Sequence, residues 1–153
     1  SDYAVTDEEG YFYILGRTDD VINVAGHRIG TQEIEEAISM HPEMAECAVV
    51  GIQDELKGEL PIAFCVLKDQ TQIETTENRF RIEQQVIGAV VKSLGGIARP
   101  AAIYFPQALP KTRSGKILRR SIRALAEDQP TGDMSTLDNP SAIDAIKQAM
   151  KDY

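Results

Sequence analysis

The chain has 153 residues, 42% of them hydrophobic and 26% charged, with 16 Lys+Arg against 24 Asp+Glu. That length suits one domain with its own core, and the near-average composition excludes a disordered, collagenous or disulfide-stapled chain. A formal net charge of −8 argues against a dedicated binder of nucleic acid or of an anionic membrane, because phosphate recognition needs a positive field.

The first 18 residues read as a β-hairpin, with Asp7-Glu8-Glu9-Gly10 supplying the turn and Tyr11 to Leu15 a β-favouring run. Beginning almost inside a strand, the chain reads as part of something longer. Val21–Val24 and His27–Ile29 pair as a second hairpin across Ala25-Gly26. A helix follows from Thr31, a candidate N-cap, with Ile34, Ala37 and Ile38 on its inner face and His41-Pro42 as its stop. Two unbroken apolar runs, Cys47–Ile52 and Ile62–Leu67, predict strands buried on both faces. The turn between them is Asp54-Glu55-Leu56-Lys57-Gly58.

A longer helix is expected from about Glu77 to Leu94, with Phe80, Ile87, Val91 and Leu94 inward and Gly95-Gly96 ending it. Ala102–Phe105 reads as a third short strand. Ser114 is a candidate cap for a further helix whose inner face is Leu118, Ile122 and Leu125. A polar linker from Glu127 to Pro140 leads to a terminal helix marked by Ile143, Ile146 and Met150. The expected fold class is α+β: N-terminal β-hairpins, then a small mixed three-stranded sheet flanked by helices. Cys47 and Cys65 lie within apolar runs and read as reduced core thiols. With no run near the roughly 20 apolar residues that span a bilayer and no signal-like segment, a cytoplasmic chain without membrane contact is expected.

Charge is unevenly distributed. Lys111, Arg113, Lys116, Arg119, Arg120 and Arg123 place six of the 16 cations in a stretch without an acid, leaving ten against 24 elsewhere, a formal −14. A local positive site on an acidic body suits one small anionic ligand, although a solvated basic helix face gives the same pattern. Within it, Leu109-Pro-Lys-Thr-Arg-Ser-Gly-Lys116-Ile joins a permissive loop to cations before a helix, a setting for phosphate or carboxylate, or simply a charged surface cap. It is not a Walker loop, since Pro110 and Ile117 stand where Gly and Ser/Thr are required.

Gly16-Arg17-Thr18-Asp19-Asp20 offers an arginine for an anion, or a local ion pair and turn. His27 and His41 have no metal-ligand spacing, so no metal site is expected. No nucleophile motif is present. From the residues alone the reading stops at an acidic α+β domain with one anion-facing loop, and a stand-alone binding or regulatory module remains open.

Two long segments go further. GRTDDVINVAGHRIGTQEIEEAI and, about 80 residues on, LPKTRSGKILRR resemble the C-terminal part of the acyl-adenylate-forming enzymes, most closely short-chain acyl-CoA synthetases. Within these, VINVAGHRIGTQEIEE, DELKG and GDMSTLDNPSAIDAIKQAM are similar to the propionate–CoA ligase branch, with the acetyl-CoA synthetases as the alternative. Acetyl-CoA synthetases are expected to end soon after the basic helix, so the extension beyond residue 128 favours the propionate branch.

The resemblance implies carboxylate activation by Mg2+-ATP to acyl-AMP, then attack by the CoA thiol to give acyl-CoA and AMP. It implies that residues 1–18 end a large N-terminal domain, 19–127 form a mobile C-terminal domain, and 128–153 form a linker and helix. The isolated piece would then be inactive. By the same resemblance Lys116 is the adenylation lysine, Asp19 the hinge, and Asp2, Arg17 and Arg28 nucleotide-binding. Gly26, Arg28 and Lys92 fall on the CoA side. Reversible acylation of Lys116, by a protein lysine acyltransferase and a sirtuin-type deacylase, is a further implication.

Overall fold

The computed structural model describes the backbone of residues 2–6 and 12–17, and residues 21–132 and 137–152 with their side chains. Strands β1 (Asp2–Thr6) and β2 (Phe12–Arg17) pair antiparallel as their own two-stranded sheet, as the sequence predicts. The expected turn at 7–10 lies outside the described residues.

Strands β3 (Val21–Val24) and β4 (His27–Gly30) form the second hairpin. Helix α1 (Thr31–Ser39) follows without an intervening loop. Thr31 is therefore not the cap expected of it: Gly30 holds that position, and Thr31 is the first helical residue, fully buried. Strand β5 (Met44–Asp54) extends its apolar run in both directions, β6 (Gly58–Leu67) extends its run toward the turn, and the two pair antiparallel along their length. Their turn is held by Asp54, whose carboxylate accepts the N–H groups of Leu56 (3.2 Å) and Lys57 (2.9 Å).

Helix α2 (Thr76–Leu94) is capped by the Thr75 hydroxyl, which accepts from Asn78 N–H at 3.2 Å, and ends at Gly95 with φ +88°. Strand β7 (Ala102–Tyr104) then runs parallel to β6. Helices α3 (Arg119–Ala126) and α4 (Ser141–Lys151) complete the chain.

The main sheet has five strands where three were expected, in the order β4-β3-β6-β5 with β7 also on β6. The difference is the second hairpin, which joins β6 through the pair Val24↔Gly58. Alternation along β5 and β6 then separates two cores. Cys47, Val49, Ala63, Cys65 and Leu67 face Ile34 and Ile38 of α1 and Ile82, Val86 and Val90 of α2. Ala48, Val50, Ile62, Phe64 and Val66 face the other way, onto Leu109, Ile122 of α3 and Ile146 of α4. Helices on both faces are the reason these strands read as unbroken apolar runs.

The face expected of α2 is corrected. Phe80 is 58% exposed, and the buried stripe is Ile82, Val86 and Val90, with Ile87 and Leu94 only partly buried beside it. Both stripes have helical spacing, so periodicity cannot choose between them; contact with the sheet does. In the terminal helix the buried positions are Ala142, Ile146 and Ala149, with Met150 partly buried against the same core.

Candidate functional site

The segment expected to lead straight into a helix closes instead into a small hairpin. Lys111 pairs with Ile117, Thr112 N–H donates to Lys116 C=O (2.9 Å), and Gly115 N–H donates to Thr112 C=O (2.9 Å). Gly115 at φ +88° supplies the left-handed residue that closes such a three-residue loop. The Thr112 hydroxyl contacts the Ser114 hydroxyl at 2.9 Å and accepts from Lys116 N–H at 3.2 Å. Ser114 thus stabilises a turn and caps no helix; α3 begins five residues later, after Leu118 N–H has bonded Pro110 C=O at 2.9 Å. Lys116 stands exposed on this hairpin, and its ammonium has no partner among the described residues.

The basic stretch divides into structural and outward-facing cations. Lys111 pairs with Glu46 at 2.7 Å. The Arg119 fork grips Glu35, Nε to Oε2 at 2.9 Å. Arg123 contacts Glu59 (3.1 Å) and Glu127 (3.2 Å). These pairs tie α3 and the hairpin to α1 and to strands β5 and β6. Arg113, Lys116 and Arg120 remain exposed.

Gly26 occupies the tip of the β3–β4 hairpin at φ +85°, beside Ala25 at φ +50°. Two consecutive positive φ values make a type I′ turn, whose twist matches the strands it joins. A Cβ on Gly26 would meet nothing within 4 Å among the described residues, so none of them requires a glycine there beyond its backbone angle. Arg28 lies on β4 opposite Asn23, with its side chain exposed.

Ala25 N–H donates to Lys57 C=O at 2.7 Å, so the Gly26 tip is rooted at the β5–β6 turn. Lys111 roots the Lys116 hairpin at Glu46, near the other end of β5. The eight residue steps from Glu46 to Asp54 span roughly 26 Å of strand. The two candidate hairpins are therefore rooted toward opposite ends of one strand.

Asp2 and Arg17 are direct partners in the β1–β2 ladder, so the two residues fifteen apart in sequence are brought face to face. Asp19 lies outside the described residues. Lys92 is exposed in the last turn of α2, a layer that packs on α1.

Among the remaining reactive groups, Cys47 and Cys65 are buried free thiols directly opposite one another on β5 and β6. Burial, reinforced by Glu35, pushes the Cys47 thiol up to about 12, and burial raises that of Cys65 well above the usual range. His41 has a structural role, its Nδ1 accepting Glu43 N–H (3.0 Å) and its Nε2 meeting Gln85 Oε1 (2.6 Å). Among the described residues no group of three or more His, Cys, Asp or Glu is gathered as a metal site, and no helix is long and apolar enough to cross a membrane.

Two clefts, of about 520 and 690 Å³, lie beside α4; neither is lined by Lys116 or Gly26. Both candidates sit on hairpins outside these clefts, whereas small-molecule sites are generally concave. Sequence reasoning missed the carboxylates Glu35, Glu46 and Glu59 that orient the basic segment, since no local pattern relates residues 64 to 84 positions apart.

Comparison with known proteins agrees with this geometry. Residues 33–116 match the model of the AMP-binding enzyme C-terminal domain. The chain is 49% identical over 151 residues to propionate–CoA ligase of Escherichia coli (strain K12), covering 99% of this chain and 24% of that protein. It is equally 49% identical to acetyl-coenzyme A synthetase of Pyrobaculum arsenaticum, covering 99% and 22%. The tail beyond residue 128 therefore does not separate the two branches, contrary to the sequence expectation.

Among solved structures, anthranilate CoA ligase AuaEII in complex with anthranoyl-AMP superposes with a TM-score of 0.66 at 33% identity, covering 82% of this chain and 23% of that one. A Mycobacterium tuberculosis fatty acyl CoA synthetase gives 0.62 at 33% identity, covering 83% and 24%. The chain thus spans about a quarter of the length of these relatives. With a five-stranded sheet between helices and a lysine hairpin at the end of the matched segment, the chain belongs to the family of AMP-binding enzyme C-terminal domains.

Proposed function

We propose that this chain is the C-terminal domain of an AMP-forming short-chain acyl-CoA ligase, converting propionate, ATP and CoA to propionyl-CoA, AMP and pyrophosphate. The observation that carries the reading is the separation of the exposed Lys116 hairpin from the Gly26 tip along β5. One mobile domain can then present either end to a reaction centre held by an N-terminal partner domain. In this reading residues 1–18 close that partner domain, 19–127 move, and 128–153 form the linker and helix; the piece alone is inactive.

In the first step a carboxylate oxygen attacks the α-phosphorus and pyrophosphate departs. The attacking group is already ionised, so no general base is required. Lys116 places its ammonium where charge redistributes on the phosphate, a positional and electrostatic contribution. Having no competing carboxylate among the described residues suits it to that task. Asp2 and Arg17, opposed in one ladder, serve the nucleotide.

In the second step the domain turns about Asp19. The CoA thiol, losing its proton, attacks the acyl carbonyl, and AMP leaves. Gly26 keeps the approach of the thiol clear, with Arg28 on the phosphate side and Lys92 a candidate for the CoA nucleotide. Mg2+ enters with ATP and draws no side chain assignment from this chain. Acylation of Lys116 by a protein acyltransferase, reversed by a sirtuin-type deacylase, would switch off the first step by removing its charge. The reading places the enzyme in the cytoplasm.

Acetate is the second substrate to test, because a relative named acetyl-coenzyme A synthetase matches at the same identity. The test is carboxylate-dependent pyrophosphate exchange by the full-length protein, wild type and Lys116→Ala, with acetate, propionate and butyrate. Propionate-preferring exchange abolished in the variant is the expected result. Acetate preference would reassign the branch, and no exchange with any carboxylate would overturn the ligase reading.

A further inference from the structure

The tail after α3 is structurally part of the lysine hairpin. Leu137 pairs with Thr112, and Asp138 N–H donates to Lys111 C=O at 2.8 Å. The Asn139 side chain completes the connection: its Oδ1 accepts Lys111 N–H at 2.9 Å and its Nδ2 donates to Leu109 C=O at 3.0 Å. This amide bonds the groups on either side of Pro110 as the peptide unit of a neighbouring strand would. A planar group with both a donor and an acceptor is needed, which a carboxylate or hydroxyl cannot supply in the same geometry.

Both ends of this brace are anchored. Leu109 is fully buried in the second core, where Ile146, with Met150 partly buried beside it, holds α4. Asn139 C=O accepts Ala142 N–H at 2.9 Å, so Asn139 is fixed to the first turn of that helix. On the far side, Lys111 is held by Glu46. The Lys116 ammonium itself has no partner among the described residues, so among them it is the hairpin backbone that aims it.

We propose that Asn139 is a positioning residue for Lys116, and that the segment 137–139 with α4 serves the lysine-dependent half-reaction by fixing the root of the hairpin. This rests on the reading of Lys116 as the adenylation lysine. It assigns the tail a part in one half-reaction and none in the other, because the tail pairs with the Lys116 hairpin and not with the Gly26 tip.

The test uses the full-length protein carrying Asn139→Ala, Asn139→Asp or Lys116→Ala. Three quantities are measured: amide hydrogen exchange at Lys111, propionate-dependent pyrophosphate exchange, and thioester formation from supplied acyl-adenylate and CoA. Asn139→Ala is expected to speed exchange at Lys111 and slow adenylation roughly 10- to 100-fold, the scale of a small misplacement of a catalytic group. Thioester formation should stay near wild type, which also reports a folded domain.

Asn139→Asp keeps the acceptor for Lys111 N–H and loses the donor to Leu109, so its adenylation should fall between wild type and Asn139→Ala. It also decides the matter should the alanine variant fail to fold. Equal loss in both half-reactions, unchanged adenylation, or unchanged protection at Lys111 would each overturn the brace. If Lys116→Ala retains pyrophosphate exchange, the reading of Lys116 fails instead.

Discussion

Arg119 and Glu35 meet around the open edge of the sheet. The guanidinium comes from α3 on one face and the carboxylate from α1 on the other, and both side chains are less than one-fifth exposed. Glu35 Oε2 also accepts Val49 N–H, at 2.8 Å, on the outer side of edge strand β5. One carboxylate therefore joins both helical layers and occupies a strand edge that would otherwise be open to pairing. Glu127 occupies the same strand edge further along, accepting Gln53 N–H at 2.9 Å.

Arg119→Ala should cost about 2 kcal/mol of unfolding free energy, because it strips a half-buried carboxylate of a charged two-point partner. Arg119→Lys should recover only part, since an ammonium cannot reproduce the planar fork. Urea unfolding of both, in a cycle with Glu35→Gln, measures the coupling; additive losses would show that the pair contributes no interaction of its own.

Gly26→Leu is expected to destabilise the hairpin by about 1 kcal/mol through its positive φ, with no Cβ clash among the described residues. Yet it should abolish thioester formation from supplied acyl-adenylate while pyrophosphate exchange persists. Assaying both half-reactions separates the two effects. Loss of both alike would tie the tip to folding and not to the approach of CoA.

Cys47 and Cys65 should resist a thiol-specific reagent such as DTNB in the native protein at pH 8 and react once it unfolds. The folded state holds the Cys47 proton to about pH 12 against 9.0 for an ordinary thiol. Above pH 9 the unfolded chain binds fewer protons than the native one. The thiols' contribution is thus complete below pH 9 and declines as pH rises, at up to about 1.4 kcal/mol per pH unit for each thiol. Urea midpoints between pH 8 and 10.5, compared with Cys47→Ala, check the sign and size.

Gly51→Ala should lose about 1–3 kcal/mol, as overpacking does. A Cβ there would overlap Ile22 Cγ2 and lie 2.9 Å from Glu59 Oε2, and Ile22 is fully buried with no room to withdraw. Combining it with Ile22→Ala should cost less than the sum of the two single changes. Thermal unfolding of the three variants provides the comparison.

The elements themselves were largely legible, because each is set by residues near one another in sequence. Apolar runs of strand length, Gly95 after a helical stripe and Asp54 before a turn act within a few positions. The candidate residues were legible through the length of the two matching segments, LPKTRSGK above all. Where local rules erred, they did so for want of a distant partner. Ser114 looked like a cap because hydroxyls favour helix starts, but Gly115 closed a hairpin first. Phe80 shared a helical period with Leu94, and only the position of the sheet excluded it from the core.

The sequence by itself determined that an acidic α+β domain would carry a basic loop and a glycine-tipped hairpin. Only the tertiary structure decided which cations the loop could offer. Glu35, Glu46 and Glu59, each more than 60 residues away from its partner, claim Arg119, Lys111 and Arg123 and leave Lys116 exposed. Charge in a sequence is a count, whereas charge available to a substrate depends on which acids folding brings within hydrogen-bond reach. The same holds for Asn139, an ordinary polar linker residue until α4 is packed and its amide meets the backbone on either side of Pro110.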